Sequence, residues 1–282
     1  MKGIRVPYIE CTRTGSQYNQ IKDRSFIVYD QTKNEYISAK TFKKLFAIQP
    51  SFENGILTLT VNDKSIKIDV KKVVDNGDVR SIICYEKDLA EGYDCGDKVS
   101  LFLKGFLQTS DELRLAYYSE GLFKQRIANI DDIWTLNKPP PGPHELRYQD
   151  EGPYMVMTTA SLKDLNKRIG SELLINRFRP SILIKGSEPY AEDFWNKLSI
   201  GKVEMSYLKP CTRCVMTMIN DEGVSNKNME PLRELRKYRL APGKLRKVYG
   251  ESPVLGGIFG IDEGGIIKEG DSVYAMLKDI PC

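Results

Sequence analysis

The sequence predicts a mainly β fold with a few covering helices, in the α+β class. Short stretches of alternating or β-branched apolar residues recur along the chain, and turn-forming residues separate them. In the first half these stretches cover residues 26–29, 55–61 and 65–70. Between the last two, Asn62-Asp63-Lys64 carries the residues of a tight turn and predicts a hairpin. We therefore expect β-strands to dominate this half.

The second half predicts strands that alternate with short helices. Strands are expected at residues 154–159, 181–184, 202–205 and 214–219, and a strand, turn and strand over residues 265–274. Helices are expected at residues 98–106, 161–169 and 231–238. Ser161 is expected to cap the second helix, with Asp164 at its third position, and Pro231 suits the first position of the third helix. A β-barrel-like core with covering helices fits this order.

The stretch from Asn137 to Gln149, with its cluster of proline and glycine at residues 139–143, marks the predicted domain boundary. Such a cluster suits a long surface crossing between two folded units. A chain of 282 residues is long enough to bury two hydrophobic cores. We expect an N-terminal barrel-like domain over residues 1–136 and a second domain over residues 137–282.

Composition excludes several classes of function. The 42 Lys and Arg against 38 Asp and Glu give a net charge of +4, too small an excess to indicate a nucleic-acid partner. Because His144 is the only histidine, zinc sites that need two or three imidazoles are excluded within one chain. Six cysteines without a secretory signal indicate free thiols in a reducing compartment. No apolar run approaches the roughly 18 residues that span a bilayer, which predicts a soluble chain.

The most informative local feature is the cysteine pair in Cys211-Thr212-Arg213-Cys214. A thioredoxin-type pair stands at the start of a helix, whereas this pair runs into the strand predicted at residues 214–219. A four-cysteine zinc site would need a second close pair, and the other cysteines are scattered singly. Two interpretations stay open. The pair is either two small buried apolar residues, or it supplies a thiolate ligand to a soft metal, with Arg213 balancing negative charge.

Two arginines flank an aromatic residue in Arg177-Phe178-Arg179-Pro180. Planar guanidinium groups bind phosphate or carboxylate through paired hydrogen bonds, so this segment is a candidate anion site. The more common outcome for such a segment is a surface ion pair beside a buried phenylalanine. Arg24 follows Lys22 and Asp23, and its spacing alone carries no signal.

The order of several segments resembles a known family. These segments are residues 176–184, 190–195, 198–201, 209–214 and 270–274. In this order they resemble the MOSC domain, a β-barrel that binds the molybdenum cofactor. Residues 21–24 and the strand after them resemble the MOSC N-terminal β-barrel domain that accompanies it. Residues 230–232 and 249–253 are more similar to the mitochondrial amidoxime-reducing branch than to the cofactor sulfurase. The resemblance covers essentially the whole chain and implies a MOSC β-barrel plus an N-terminal β-barrel-like domain.

The resemblance also implies roles for the residues of the cysteine pair. Cys214 is expected to be the thiolate ligand of molybdenum, with Cys211 as the second choice. Thr212 and Arg213 are expected to line the cofactor beside that ligand.

Further cofactor contacts are implied elsewhere in the chain. Arg24 and Arg179 are expected to hold the anionic pterin and its phosphate. The loop before the strand at residue 154 is expected to touch the cofactor as well. In this loop Glu151 and Gly152 stand where relatives carry small hydroxyl residues, and further along the chain Ile258 replaces an aromatic residue of the family pattern.

The implied activity is that of a molybdenum-dependent reductase of N-hydroxylated compounds, such as amidoximes and hydroxylamines. Its cofactor is Mo-molybdopterin, and its electrons come from cytochrome b5 and an NADH-dependent reductase. The sequence itself carries no pattern of a flavin, haem or iron–sulfur site. The implied location is the cytosol-facing side of the mitochondrial outer membrane. At the level of the domain, the resemblance also carries an association with pyridoxal phosphate binding.

Two other functions stay open at this point. A sulfur carrier or cofactor-sulfurase-like module would bear a persulfide on Cys211 or Cys214, supplied by a cysteine desulfurase. A cofactor-free remnant is the third possibility, because relatives carry a membrane anchor and a cofactor-contacting Lys-Ser pair that would precede Met1. We therefore expect this chain to bind the cofactor more weakly than a longer version would.

Overall fold

The computed structural model describes residues 3–85, 88–122, 126–128 and 143–278. The strands are β1 (Tyr8–Thr12), β2 (Gly15–Tyr18), β3 (Ile21–Lys22), β4 (Phe26–Asp30), β5 (Glu35–Tyr36), β6 (Gln49–Glu53), β7 (Ile56–Val61), β8 (Lys64–Asp69), β9 (Val79–Cys84), β10 (Asp88–Asp94), β11 (Leu113–Tyr117), β12 (Arg126–Ile127), β13 (Glu145–Leu146), β14 (Tyr154–Thr158), β15 (Ile182–Ile184), β16 (Trp195–Ile200), β17 (Val203–Thr212), β18 (Val254–Glu263), β19 (Gly265–Lys268) and β20 (Val273–Leu277).

Helices cover the strands at a few places. Among the described residues the α-helices are α1 (Val70–Asn76), α2 (Asp97–Leu107), α3 (Thr159–Ile169), α4 (Leu232–Tyr238) and α5 (Gly243–Tyr249), and the 3-10 helices are Lys43–Ala47, Ile175–Arg177, Ala191–Phe194 and Val215–Met218. In the described part of the chain no helix combines the length and the apolar character needed to cross a bilayer. The predicted boundary between residues 136 and 137 lies outside the described residues, so the domain limits stay predictions.

The N-terminal half is built around a closed barrel. Strands β10, β11, β4, β5 and β9 follow one another around it, and β6, β7 and β8 form an adjoining three-stranded sheet. The alternation in β7 decides which side chains enter the core, because Leu57, Leu59 and Val61 are buried on one face. Helix α2 covers this core with the buried Val99 and Leu103. The predicted dominance of strands in this half is confirmed.

The C-terminal half is a six-stranded sheet in the order β15-β14-β18-β17-β16-β20. Only the pair of β14 with β15 is parallel; the remaining neighbours are antiparallel. Helices α3 and α4 cover this sheet, since Leu165 and Leu235 join Met157 and Leu255 in one buried cluster. The long central strands β17 and β18 therefore lie in the interior, and their ends carry the loops described below.

The two halves are joined through the ends of the chain. Strand β1 pairs antiparallel with β19, so an N-terminal strand completes a sheet with a C-terminal one. Arg147 is fully buried at this junction and donates hydrogen bonds to the Ser16 and Asp23 carbonyls at 3.1 and 3.2 Å. It also donates to Thr12 Oγ1 at 3.3 Å. One guanidinium thus fixes the loop that leads to Arg24.

The start of helix α3 corrects one prediction. The helix begins at Thr159, and Thr158 Oγ1 accepts the N–H of Ser161 at 3.1 Å, so Thr158 is the cap. Ser161 was expected to be the cap, and this was wrong. Its hydroxyl lies inside the first turn and donates to the buried carboxylate of Glu192 at 2.8 Å. A hydroxyl residue three positions earlier in the chain therefore takes the role that the pattern assigned to Ser161.

The segment after Cys214 corrects a second prediction. The strand expected at residues 214–219 is a 3-10 helix, Val215–Met218, and strand β17 ends at Thr212. Strand β17 stops because the partner strand begins at Val254, opposite Thr212. The remaining strands predicted in the second half are confirmed, as are the helices at residues 98–106 and 231–238, the latter starting at Leu232. Helices α1 and α5 were not predicted.

A buried carboxylate lies between helix α3 and the sheet. Glu192 is fully buried and accepts hydrogen bonds from Ser161 Oγ at 2.8 Å and Thr158 Oγ1 at 3.1 Å. Burial raises the pKa of Glu192 above its ordinary value of 4.5, although the two hydroxyls oppose the change. The charged form of this residue is therefore less favourable in the folded chain than in the unfolded chain.

We expect Glu192→Gln to gain stability relative to the parent as the pH rises. Because the folded pKa is raised, the stability that Glu192 contributes is fully present below about pH 4.5 and is lost as pH rises through the folded pKa. A pKa difference of one corresponds to about 1.4 kcal/mol. Urea unfolding of both proteins between pH 4 and 8 measures this difference, with the exposed Glu188→Gln as control. A difference that does not change with pH would contradict the assignment.

Candidate functional site

A cavity of about 340 Å³ lies between the two halves of the chain, and two arginines line it. Arg24 follows strand β3, and Arg179 follows the 3-10 helix that ends at Arg177. Both backbones are left-handed, with φ of 52° and 53°. That conformation costs a non-glycine residue on the order of 1 kcal/mol, and such residues concentrate at functional sites. The fold thus holds two guanidinium groups at one place despite local strain.

The charges of these two arginines oppose each other. Burial lowers the pKa of Arg179, and the positive charge of Arg24 lowers it further. Burial also opposes the charge of Arg24, but the ion-paired Asp23 carboxylate, together with Tyr85 and Cys211, raises the pKa of Arg24 overall. Within the described residues, no hydrogen bond or ion pair holds the Arg179 guanidinium. The pair therefore carries an excess of positive charge that an anionic ligand would neutralise.

Tyrosines complete the polar wall of the cavity beside Arg24. The rings of Tyr36 and Tyr85 stand 5.0 Å apart, and the Tyr85 hydroxyl donates to the Tyr148 carbonyl at 3.0 Å. The Tyr148 N–H in turn donates to the Arg24 carbonyl at 3.3 Å. Sequence reasoning missed these residues, because single tyrosines on separate strands carry no spacing signal. Their contacts orient the Arg24 loop and offer flat aromatic surface to a ligand.

The two cysteines of the pair differ in environment. Cys211 is buried in strand β17, and burial raises the pKa of its thiol to about 11. Cys214 is an exposed free thiol at the residue that precedes the 3-10 helix Val215–Met218. The Cys214 carbonyl accepts hydrogen bonds from Thr217, through N–H at 3.1 Å and Oγ1 at 2.9 Å. Of the two, only Cys214 is open to a ligand from outside. In the described segments, no three His, Cys, Asp or Glu side chains group as a metal site.

Arg213 connects the cysteine segment to the Arg179 segment. Its guanidinium donates to the Leu255 carbonyl at 2.5 and 2.8 Å and to the Phe178 carbonyl at 3.2 Å. Since Phe178 precedes Arg179 and Arg213 precedes Cys214, this contact brings Cys214 and Arg179 onto neighbouring segments. Arg213 thus links the segment that carries Cys214 to the segment that carries Arg179, although the residues that line the cavity include Arg24 and Arg179 and not Arg213 or Cys214.

The loop before strand β14 contributes an acidic residue to the same region. Glu151 accepts a hydrogen bond from Thr212 Oγ1 at 3.3 Å and pairs with Lys209 at 3.6 Å. Burial raises the pKa of Glu151, while the Lys209 charge lowers it. The sequence-predicted Glu151 and Thr212 thus contact each other, and Lys209 offsets the negative charge of Glu151.

Gly152 packs against strand β18. A Cβ atom added to Gly152 would stand 2.1 Å from Ile258 Cγ2, closer than real carbon atoms approach. This position therefore requires glycine for packing, independent of any ligand contact. The pairing of a glycine with Ile258 fills the space at this end of the sheet.

Models of two protein domains match consecutive parts of the chain. The MOSC domain matches residues 143–274, and the MOSC N-terminal beta barrel domain matches residues 1–110. The chain is 32% identical to mitochondrial amidoxime-reducing component 1 of Homo sapiens, over 98% of this chain and 79% of that protein. It is 31% identical to mitochondrial amidoxime reducing component 2 of Bos taurus, over 98% and 80%. Component 1 of Danio rerio is 30% identical, over 98% and 81%.

The chain belongs to the MOSC-domain family, in the group of the amidoxime-reducing components. This confirms the predicted family, and the barrel and six-stranded sheet confirm the predicted fold class. The family implies a molybdenum cofactor, a polyanion with a phosphate and a pterin. The residues present fit such a group, because Arg24 and Arg179 carry an excess of positive charge in one cavity and Cys214 offers a soft, accessible donor.

The packing of Gly152 in this MOSC-domain chain yields a prediction. Gly152→Ala forces an overlap with Ile258 and is expected to lower the free energy of unfolding by roughly 1–3 kcal/mol. In the double variant Gly152→Ala with Ile258→Ala, the clashing Cγ2 is absent. The double variant should therefore lose less unfolding free energy than the sum of the losses in the two single variants. Urea unfolding of the four proteins gives this coupling energy.

Gly105→Ala is the matched control for this cycle, because an added Cβ at Gly105 meets nothing within 4 Å. That substitution should not lower stability. Additive losses in the Gly152–Ile258 cycle would show that the two residues do not compete for the same space.

Proposed function

We propose that this protein is a molybdenum-cofactor-dependent reductase of N-hydroxylated compounds, such as amidoximes and hydroxylamines. The observation that carries the proposal is the pair of guanidinium groups in one cavity. Arg24 and Arg179 line the same space and repel each other, and among the described residues the ion pair at these two guanidinium groups is that of Arg24 with Asp23. A cofactor with a phosphate and an electron-rich pterin supplies the missing negative charge. The relatives named amidoxime-reducing components support this reading of the site.

The exposed thiol supplies the second half of the proposed site. Cys214 is the residue that would hold the metal, since its thiol is accessible and thiolate is a strong donor for soft metals. Cys211 is buried three residues earlier and stays within the sheet. Through its contact with the Phe178 carbonyl, Arg213 links the segments that carry Cys214 and Arg179. A single ligand that contacts both residues would require these segments to be neighbours.

The roles of the chain's residues follow from their surroundings. When bound, the cofactor supplies the two-electron chemistry that cleaves the N–O bond, with the oxygen leaving as water. Arg24 and Arg179 neutralise the cofactor, and Tyr36 and Tyr85 offer flat aromatic surface beside it. Thr212 and Glu151 hold each other at the edge of the cysteine segment. Because Cys214 is exposed, a substrate can reach the place that its thiol occupies.

The electrons and the location belong to the same proposal. Reduction needs two electrons per turnover, and we assign their supply to an external cytochrome b5 and its NADH-dependent reductase. The relatives are named mitochondrial components, and we assign this chain to the cytosol-facing side of the mitochondrial outer membrane. Reconstitution of NADH-dependent turnover from the three purified proteins tests the electron supply.

Cys214→Ser is expected to abolish molybdenum-dependent reduction of an amidoxime, whereas Cys211→Ser is expected to be milder. The reason is that the Cys214 thiol is exposed and the Cys211 thiol is buried. Benzamidoxime turnover and molybdenum content per chain are measured for both variants and for Cys95→Ser as control. Full activity of Cys214→Ser would remove this thiol from the metal, and an inactive Cys211→Ser would assign the ligand to Cys211.

The same measurement separates the proposal from sulfur transfer. A sulfur carrier would lack molybdenum and carry cyanide-labile sulfur on Cys211 or Cys214 after treatment with a cysteine desulfurase. Stoichiometric molybdenum without labile sulfur supports the reductase. Folded protein with neither group, purified from cofactor-replete cells, would contradict both.

Arg24→Met and Arg179→Met are each expected to lower cofactor occupancy with a small effect on folding. Loss of a charge-assisted contact costs about 1.5–3 kcal/mol, which is on the order of ten- to a hundred-fold in affinity. Pterin content by fluorescence after oxidation measures occupancy, and thermal unfolding reports the fold. Arg246→Met removes a partly exposed guanidinium paired with Glu251 and serves as the control. Unchanged pterin content in both cavity variants would contradict the assignment of Arg24 and Arg179 to cofactor binding.

A further inference from the structure

The Arg213 guanidinium bonds to main-chain carbonyls, although the residue lies beside the proposed anion site. The side chain is buried at 6% exposure, and its three hydrogen bonds all go to main-chain carbonyls. Two N–H groups meet the Leu255 carbonyl, and a third meets the Phe178 carbonyl. The main-chain N–H of Arg213 also donates to the Pro253 carbonyl at 2.8 Å. This residue therefore fixes backbone segments to one another.

The segments that Arg213 joins are the ones that carry the proposed site. Leu255 lies in strand β18 and is fully buried, so it is a rigid reference point. Phe178 directly precedes Arg179, and its ring lies 5.6 Å from the Arg213 guanidinium. Consecutive Cα atoms are about 3.8 Å apart, so a contact between residues 213 and 178 limits the separation of their neighbours, Cys214 and Arg179.

Neither neighbour lies inside a strand or a helix. Cys214 lies just past the end of strand β17, and Arg179 stands in a left-handed turn. A misplacement of about 1 Å at a reactive centre costs on the order of a hundred-fold in rate. A planar fork that bonds two carbonyls at once restrains both segments, and a lysine ammonium, with its flexible stem, has no such fork.

We propose that Arg213 is a positioning residue that fixes the Cys214 thiol relative to Arg179 through the Phe178 and Leu255 carbonyls. The inference rests on the proposed function for its catalytic consequence. Its structural part concerns the thiol alone and is testable without cofactor. The competing role for Arg213 is that of a positive charge for the cofactor, which a lysine would retain.

The experiment compares Arg213→Lys with Arg239→Lys. Arg239 is a matched control because its Nε donates to the Val254 carbonyl of the same strand at 3.0 Å, while its charge pairs with Asp193 and not with the cysteine segment. The first measurement is the alkylation rate of Cys214 by iodoacetamide in cofactor-free protein, read by peptide mass spectrometry. The second is pterin and molybdenum content, and the third is the pair of kcat and KM for benzamidoxime.

For Arg213→Lys we expect the alkylation rate of Cys214 to change by about threefold or more. Pterin content should stay within about twofold of the parent, because Arg24 and Arg179 remain. The kcat should fall by roughly ten- to a hundred-fold with KM changed by less than about threefold. Arg239→Lys should leave the alkylation rate unchanged. Because a smaller folded fraction also lowers the apparent kcat without changing KM, kcat is expressed per folded, molybdenum-containing chain.

Two results would overturn the inference. One is a parent-like alkylation rate with parent-like kcat, which would mean that the fork is dispensable. The other is a parallel fall in pterin and kcat with an unchanged alkylation rate, which would assign Arg213 to charge neutralisation. If Arg213→Lys does not fold, Arg213→Gln retains an N–H donor without the charge and is tested by the same alkylation rate. If the parent protein holds no molybdenum, the proposed function is wrong. The alkylation rate of Cys214 in cofactor-free protein still tests whether Arg213 positions the thiol.

Discussion

The constraint on which the site depends is the placement of two like charges in one cavity. Arg24 and Arg179 come from different halves of the chain, and each adopts a left-handed backbone that costs a non-glycine residue on the order of 1 kcal/mol. Burial and mutual repulsion add to that cost at Arg179. A fold keeps such an arrangement only when many other contacts determine it. The contacts around Arg24 and Arg179 hold the two residues in this arrangement.

Those contacts lie mainly in the backbone. Arg147 fixes the Asp23 carbonyl, and the Tyr148 N–H fixes the Arg24 carbonyl, so the two residues directly after strand β13 hold the Arg24 loop. On the other side, the Ser181 N–H donates to the Met155 carbonyl at 2.7 Å, which anchors the chain just after Arg179. The cavity is therefore formed by both halves together, and its charge cannot be assigned to either barrel or sheet alone.

The residues alone predict the strands well but carry little signal for the site, for physical reasons. Alternation in residues 56–61 reports one buried face, so that strand can be predicted locally. The prediction of a strand at residues 214–219 was wrong. Its β-branched and methionine residues suit a strand, but the partner strand β18 begins at Val254, opposite Thr212, so the register gives residues 214–219 no partner in β18. Arg24 had no local signal, since the residue with which it shares the cavity, Arg179, stands 155 positions later in the chain. The family resemblance, which carries information about such distant pairs, supplied it.

The failed strand also explains why the two cysteines differ. Had β17 continued through Cys214, alternation and pairing would have kept the second thiol within the sheet. Because the strand ends at Thr212 and a 3-10 helix starts at Val215, Cys211 stays in the buried ladder and Cys214 emerges from it. Burial raises the Cys211 pKa to about 11, which disfavours its thiolate, whereas Cys214 is exposed directly after Arg213, which bonds to the Phe178 carbonyl. A single break in pairing thus separates a structural thiol from one that a ligand can reach, and the spacing of the cysteines alone could not distinguish them.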